Sequence, residues 1–267
     1  MAQARRAQRD ARPATSYRVE ALAKGLAVLS AFSQFGPSMT LTEVANRTGL
    51  PLPTTFRLAA TLDEAGYLER MTDGSYRPGL AALALGHASL KGSGLIEIAR
   101  EPLQGLAART GETVNLAVLN GPNVLFLIRL RNADLVVANI HVGSTLPAEY
   151  SSLGKVLLAH LEPEDRAARL QRDAFRAHGG PRAVTSLDEL ESQLRAVKVQ
   201  GYAVQDEEVA PGLRAIAVPI ANGRGEVVAA INIAVNAARC TVTSLVDDFL
   251  APLQQTASEI SYRLELD

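Results

Sequence analysis

Cys240 is the only cysteine, so the chain can close no internal disulfide and complete no cysteine-rich metal site. No apolar run approaches the roughly 20 residues of a membrane-spanning helix. The opening MAQARRAQRDARPATS has no apolar signal core either. Internal repeats and low-complexity tracts are missing. His87, His141, His160 and His178 share no ligand spacing. These absences lead us to expect a cytoplasmic protein without metal, cofactor or membrane association, whose residues 1–17 form a basic, flexible arm.

What is present is ordinary in amount and uneven in placement. With 267 residues, 47% of them hydrophobic and 21% charged, the chain can bury two cores. Residues 1–92 hold 11 basic and 7 acidic side chains, and the remainder holds 16 and 21. A basic front and an acidic back suit a front half that meets phosphates.

From Val19 onward, Leu22, Leu26 and Leu29 recur at helical spacing until Gly36-Pro37 stops the pattern. Thr40 and Glu43 then make a capping box, Met39 can staple against Val44, and Gly49 supplies a left-handed stop. A third helix restarts at once through Pro51 and Pro53, which are tolerated because first-turn amides lack intrahelical partners. Phe56, Ala59 and Leu62 read as its buried stripe, leaving Thr54, Arg57, Thr61 and Glu64 outward. Asp73-Gly74 between two short extended runs signals a hairpin.

Three helices and a hairpin predict a winged helix-turn-helix over residues 18–79, with the third helix presented to the major groove of double-stranded DNA. In that groove threonine can contact phosphate or a thymine methyl, and arginine can hold guanine bidentately. The expected DNA-facing residues are Thr40, Pro53, Thr54, Thr55, Arg57, Thr61, Arg70 and Arg77. Thr54, Thr55 and Arg57 stand nearest the bases, and Arg70 or Arg77 beside phosphate.

LAALALGHASLK predicts a linker helix within residues 80–94 that can pair with its copy from another subunit, and Gly92-Ser93-Gly94 breaks it. Residues 95–267 begin with a helix to Arg109, followed by strands in ETVNLAVLN, NVLFLIRLR and LVVANIHV. Helices follow near 152–160, 163–172 and 186–199. YAVQDEE, LRAIAVPI and EVVAAINIAV read as further strands, and a long helix starts near Thr243. The order implies an α+β domain around a mostly antiparallel sheet.

EYSSLGKVLLAH, residues 149–160, invites a catalytic reading. Ser152 and Lys155 have the Ser-x-x-Lys spacing of penicillin-recognising enzymes, but no Ser-Asp-Asn or Lys-Thr-Gly companion is present. Gly154-Lys155 echoes a phosphate-binding loop, yet Glu149 and Val156 stand where glycine and a hydroxyl are needed. What remains is a helix start near Ser151 or Ser152 that could receive a carboxylate. The plainer reading is a serine cap with Lys155 solvated. Gln205-Asp206-Glu207-Glu208 is read as a solvated loop or as ion pairs with Arg214 rather than as a metal cluster, because neighbours on an extended segment point to opposite faces.

These segments resemble the isocitrate-lyase-regulator (IclR) type of bacterial transcription factors from about Ser16 to Leu266. The markers are VEALAKGLAVLSAF, LTEVANRTGLPLPTTFRLAATLDEAGYL, LPAEYSSLGKVLLA and GYAVQDEEVAPGLRAIAVPI, followed by VVAAINIAV. The resemblance implies an N-terminal winged helix, a dimerising linker helix and a C-terminal effector domain with a GAF-like fold, assembled as homodimers or tetramers. It places a small carboxylate effector near Ser151, Ser152, Leu153, Gly154, Asp206, Val218, Pro219, Asn232 and Ala234. Relatives often carry Asp-Asp-Glu-Glu at 205–208, serine at 234 and a smaller residue at 153. The ending AINIAVNAARCTVTSLVDDFLAPLQQTASEISYRL looks most like the branch regulating protocatechuate and β-ketoadipate catabolism, which suggests an aromatic or dicarboxylic acid. Two alternatives stay open: a small-molecule hydrolase using Ser152 and Lys155, and a ligand-binding protein that never meets DNA.

Overall fold

Thr40 begins the second helix as its sequence predicts. Its backbone N–H donates to Glu43 Oε2 at 2.7 Å, and Glu43 N–H donates to the Thr40 hydroxyl at 3.3 Å. In the computed structural model, which describes residues 18–91, 94–131, 140–170, 175 and 179–266, the chain separates into two compact units, residues 1–87 and 88–267. The expected arm at 1–17, the Gly92-Ser93 break and most of the expected strand LVVANIHV lie outside the described residues.

The first unit holds α1 (Glu20–Phe35), α2 (Leu41–Thr48), α3 (Leu52–Glu64), β1 (Leu68–Arg70) and β2 (Tyr76–Pro78). Gly49 ends α2 at φ +68°, a conformation that costs glycine nothing and leaves little chain before α3 begins. Met39 and Tyr76 exchange backbone hydrogen bonds of 3.0 and 2.8 Å, tying the hairpin to the start of α2. Val28, Phe32, Met39, Val44, Ala59 and Leu68 form the core between them.

Two helical faces differ from their sequence reading. In α1 the burial begins only at Val28, and Leu22 and Leu26 are 62% and 54% exposed. In α3 the inward face is Thr55, Leu58, Ala59 and Leu62, while Phe56 is 53% exposed. Thr55 can lie inside because its hydroxyl donates to Pro51 O at 3.2 Å, which satisfies its polar atom within the helix. A threonine therefore fills a position that the hydrophobic pattern gave to phenylalanine.

A helix α4 (Leu80–Lys91) spans the boundary. The second unit contains α5 (Gly94–Thr110), β3 (Thr113–Asn120), β4 (Asn123–Leu130), β5 (Thr145–Pro147), α6 (Ser152–Ala159), α7 (Pro163–Arg169) and α8 (Leu187–Gln200), then β6 (Ala203–Asp206), β7 (Leu213–Ala221), β8 (Val227–Asn236) and α9 (Val242–Leu266). The sheet order is β5-β4-β3-β8-β7-β6, and every neighbouring pair is antiparallel. Strand alternation sends Ile216, Ile231 and Ile233 to one face, against Leu103 and Leu106 of α5 and Leu253 and Ile260 of α9. The other face presents Ala117, Ala217 and Ala230 to Leu153 and Val156 of α6, with Leu190 and Leu194 of α8 in the same core. Gly154 lets α6 approach the preceding 3-10 turn (Ala148–Tyr150), since a Cβ there would lie 2.1 Å from Ala148 O.

Candidate functional site

In the first unit Pro53, Phe56, Arg57, Ala60, Thr61 and Glu64 are exposed along one side of α3, with Thr54 half-buried at its edge. The Thr61 hydroxyl donates to Arg57 O at 3.0 Å. Thr55, expected beside the bases, is turned into the core and fully buried. Thr40 is exposed, but its hydroxyl is committed to the capping box, donating to Glu43 Oε2 at 2.8 Å. Arg70 and Arg77 are both exposed on the hairpin, and Arg77 pairs with Glu69 at 2.9 Å. The exposed face thus joins Pro53, Arg57 and Thr61, and leaves Thr55 and the Thr40 hydroxyl out.

The second unit holds a cavity of ≈ 30 Å³, lined among others by Ser151, Ser152 and Leu153 of the α6 start and by Asn232 and Ala234 of β8. That volume suits water and not a ring-sized ligand, so a larger guest must displace the walls. Ser151 caps α6, accepting from Gly154 N–H at 3.0 Å. Of the other residues suggested by resemblance, Gly154 is buried just behind the cap. Asp206 pairs with Arg182 and Arg214 outside the cavity lining. Val218 belongs to the core on the opposite face of the sheet, and Pro219 lines a separate open groove beside α9.

The sequence reading missed Asn115, Phe126 and Arg129, which also line the cavity. A polar row crosses three strands here. Asn115 lies opposite Arg129 of β4 and opposite Asn232 of β8. Its Nδ2 donates to Asn232 Oδ1 at 2.7 Å, and its Oδ1 accepts from Arg129 at 3.1 Å. The signal was present in the sequence as asparagine and arginine inside otherwise apolar strands. Burial works against the charge on Arg129, and Arg131 adds repulsion; arginine nevertheless stays protonated.

Lys155 is not solvated. It is 2% exposed, and its ammonium donates to both Glu208 oxygens at 2.5 and 2.6 Å. Burial is the larger influence on both partners, pushing the lysine down and the carboxyl up, and the pairing opposes each shift. A Ser-Lys nucleophile needs the lysine within hydrogen-bond reach of the serine. Among the described residues Ser152 Oγ has no hydrogen-bond partner, and the Lys155 amine is held by Glu208. Asp206 and Glu207 pair with Arg214, and no group of three or more metal-ligating side chains occurs among the described residues.

The model of the IclR helix-turn-helix domain matches residues 21–71, and that of the bacterial transcriptional regulator IclR C-terminal domain matches residues 87–262. The chain belongs to the IclR family. It is a DNA-binding transcriptional regulator with an N-terminal helix-turn-helix and a C-terminal effector domain. It is 32% identical over 245 residues to the Pca regulon regulatory protein of Pseudomonas putida, covering 91% of this chain and 83% of that one. An IclR homologue of Microbacterium hydrocarbonoxydans, solved with 4-hydroxybenzoate, is 29% identical with a TM-score of 0.73, covering 93% and 100% of the two chains. An IclR regulator from Brucella abortus is 28% identical with a TM-score of 0.78, covering 92% and 93%. No described helix of this IclR protein is long and apolar enough to cross a membrane.

Proposed function

We propose that this regulator acts in the cytoplasm as a homodimer or tetramer, binding operator DNA through α3 and releasing or adjusting it when a small carboxylate enters the effector cavity. The observation that carries this reading is the continuous exposed side of α3, which follows α2 after a tight turn. A helix so placed offers side chains to a groove while its other side holds the domain together. Arg57 and Thr54 read base edges, with Pro53 and Thr61 beside them and Arg70 or Arg77 at phosphate; Thr55 serves packing. Two copies in successive major grooves fit a roughly palindromic operator. An aromatic acid is the favoured effector, given the similarity to a Pca regulon regulator and to a 4-hydroxybenzoate-bound homologue. By linkage, the effector and DNA must each change the affinity for the other by the same factor.

Arg57→Ala tests the DNA half of this reading on the duplex upstream of the protein's own gene. A bidentate guanine contact predicts a loss of about 1–3 kcal/mol on that duplex and much less on random duplex. Equal losses on both would mean that Arg57 touches only phosphate.

A further inference from the structure

Among the described residues, three buried side-chain atoms lack any hydrogen-bond partner: Arg129 Nε, Ser152 Oγ and Gln205 Nε2. They come from three separate elements, β4, α6 and β6, and all three residues line the same cavity. Each unmade buried hydrogen bond is costly, and native proteins leave few of them. Their convergence on one cavity points to a guest that completes them. Two of the three atoms can only donate, and the serine hydroxyl can donate as well. Among the described residues no carboxylate lines the cavity, and the only hydrogen bond made by Arg129 is the one to Asn115.

The donors are also fixed in direction. Asn115, itself held by Asn232, takes one arm of the guanidinium and leaves the Nε edge unpaired. Gln205 Oε1 accepts from Glu208 N–H at 3.0 Å, which assigns the unpaired end of its amide as the donor. The same Glu208 binds Lys155 of α6, so Gln205 and Ser152 are held by one cross-connected frame. Apart from Ser151, whose hydroxyl caps α6, the remaining walls, among them Phe126, Leu146, Leu153 and Leu213, are apolar.

Resting on the reading of this cavity as the effector site, we propose that Arg129 is its charge anchor and selects a monocarboxylate with an apolar body over a dicarboxylate. Arg129 takes the carboxylate, and Ser152 and Gln205 take its second oxygen or a neutral acceptor on the guest. Among the described residues a single cation lines the cavity. A second carboxylate would therefore lie against neutral donors and apolar walls, where its desolvation goes uncompensated.

The test is calorimetric titration of the full-length protein with benzoate and 4-hydroxybenzoate, against succinate, phthalate and neutral benzamide, in the wild type and in Arg129→Met, Arg129→Lys and Ser152→Ala. The expected order in the wild type is monocarboxylate above dicarboxylate and amide. Arg129→Met should weaken the monocarboxylate by about tenfold or more, as loss of a charged hydrogen bond implies. Arg129→Lys should be intermediate, because it keeps the charge without the fork. Ser152→Ala removes one small hydroxyl and should weaken binding severalfold, which gives a reading even if the Arg129 variants do not fold. Tighter binding of a dicarboxylate, no binding of any acid, or unchanged affinity in the variants overturns the proposal. Operator binding is measured on the same proteins. A wild type that binds the monocarboxylate through Arg129 but no DNA would sink the proposed function and leave the anchor standing.

Discussion

Helices α3 and α6 both carry hydroxyl side chains in their first turn, yet α3 buries only Thr55 and Ala59 while all eight residues of α6 are buried. The difference decides where each helix finds its hydrogen bonds. Water can satisfy the outer side of α3, and a DNA groove can replace that water. Bulk water does not reach the buried α6, so each polar group needs a partner inside the fold or in the cavity beside it. Among the described residues Ser151 has Gly154, Lys155 has Glu208, and the Ser152 hydroxyl has no partner. One unit is arranged to read something outside itself, and the other to hold something within.

Lys155→Met gives the largest expected break in that contrast. It leaves the Glu208 carboxylate buried without its cation, a situation that costs about 3–5 kcal/mol. Denaturant unfolding should show the loss, and Lys155→Met with Glu208→Leu should recover most of it. Arg57→Ala on α3 should change unfolding by no more than about 0.5 kcal/mol, as exposed positions usually do. Similar costs for the two single variants would mean that α6 is no more internal than α3.

The sequence shows the same contrast only partly. Thr40 with Glu43, Gly49, Asp73-Gly74 and the alternation of LRAIAVPI and EVVAAINIAV act through local chemistry, so the elements they mark are found close to their expected places. The facing of α3 was misread because Phe56 is the larger apolar group, while Thr55 hides its hydroxyl on Pro51. The burial of Lys155 could not be read from its neighbours, since its partner lies 53 residues later. The cavity row had the same difficulty: Asn115, Arg129 and Asn232 meet only through strand register. Among the residues that family resemblance suggested, Ser151, Ser152, Leu153, Asn232 and Ala234 reach the cavity, and Gly154, Asp206, Val218 and Pro219 do not.

A smaller effect separates the two units by their caps. Thr40→Ala removes both hydrogen bonds of the Thr40 hydroxyl, keeps the backbone N–H bond to Glu43 Oε2, and should cost about 1 kcal/mol. That loss would be read as a lower unfolding midpoint, and Thr40→Ser should restore most of it. Because the Thr40 hydroxyl is spent inside the cap, specific and random duplex should weaken alike in Thr40→Ala. A selective loss on the operator would move Thr40 from the frame of the domain to the reading face.

The smallest effect is a pH dependence in the second unit. Glu149, in the 3-10 turn against α6, is 3% exposed. Burial raises its carboxyl above the ordinary 4.5, and a hydrogen bond from its own backbone N–H opposes this in part. The folded chain therefore holds this proton more tightly than the unfolded chain does. It follows that the stability Glu149 contributes is fully present below about 4.5 and is lost as pH rises through the raised value. Glu149→Gln keeps the shape without the charge, so it should unfold at higher denaturant than the wild type at pH 8, with the gap closing toward pH 4. A gap that does not change with pH would place Glu149 with the solvated side chains of α3 rather than with the buried groups around α6.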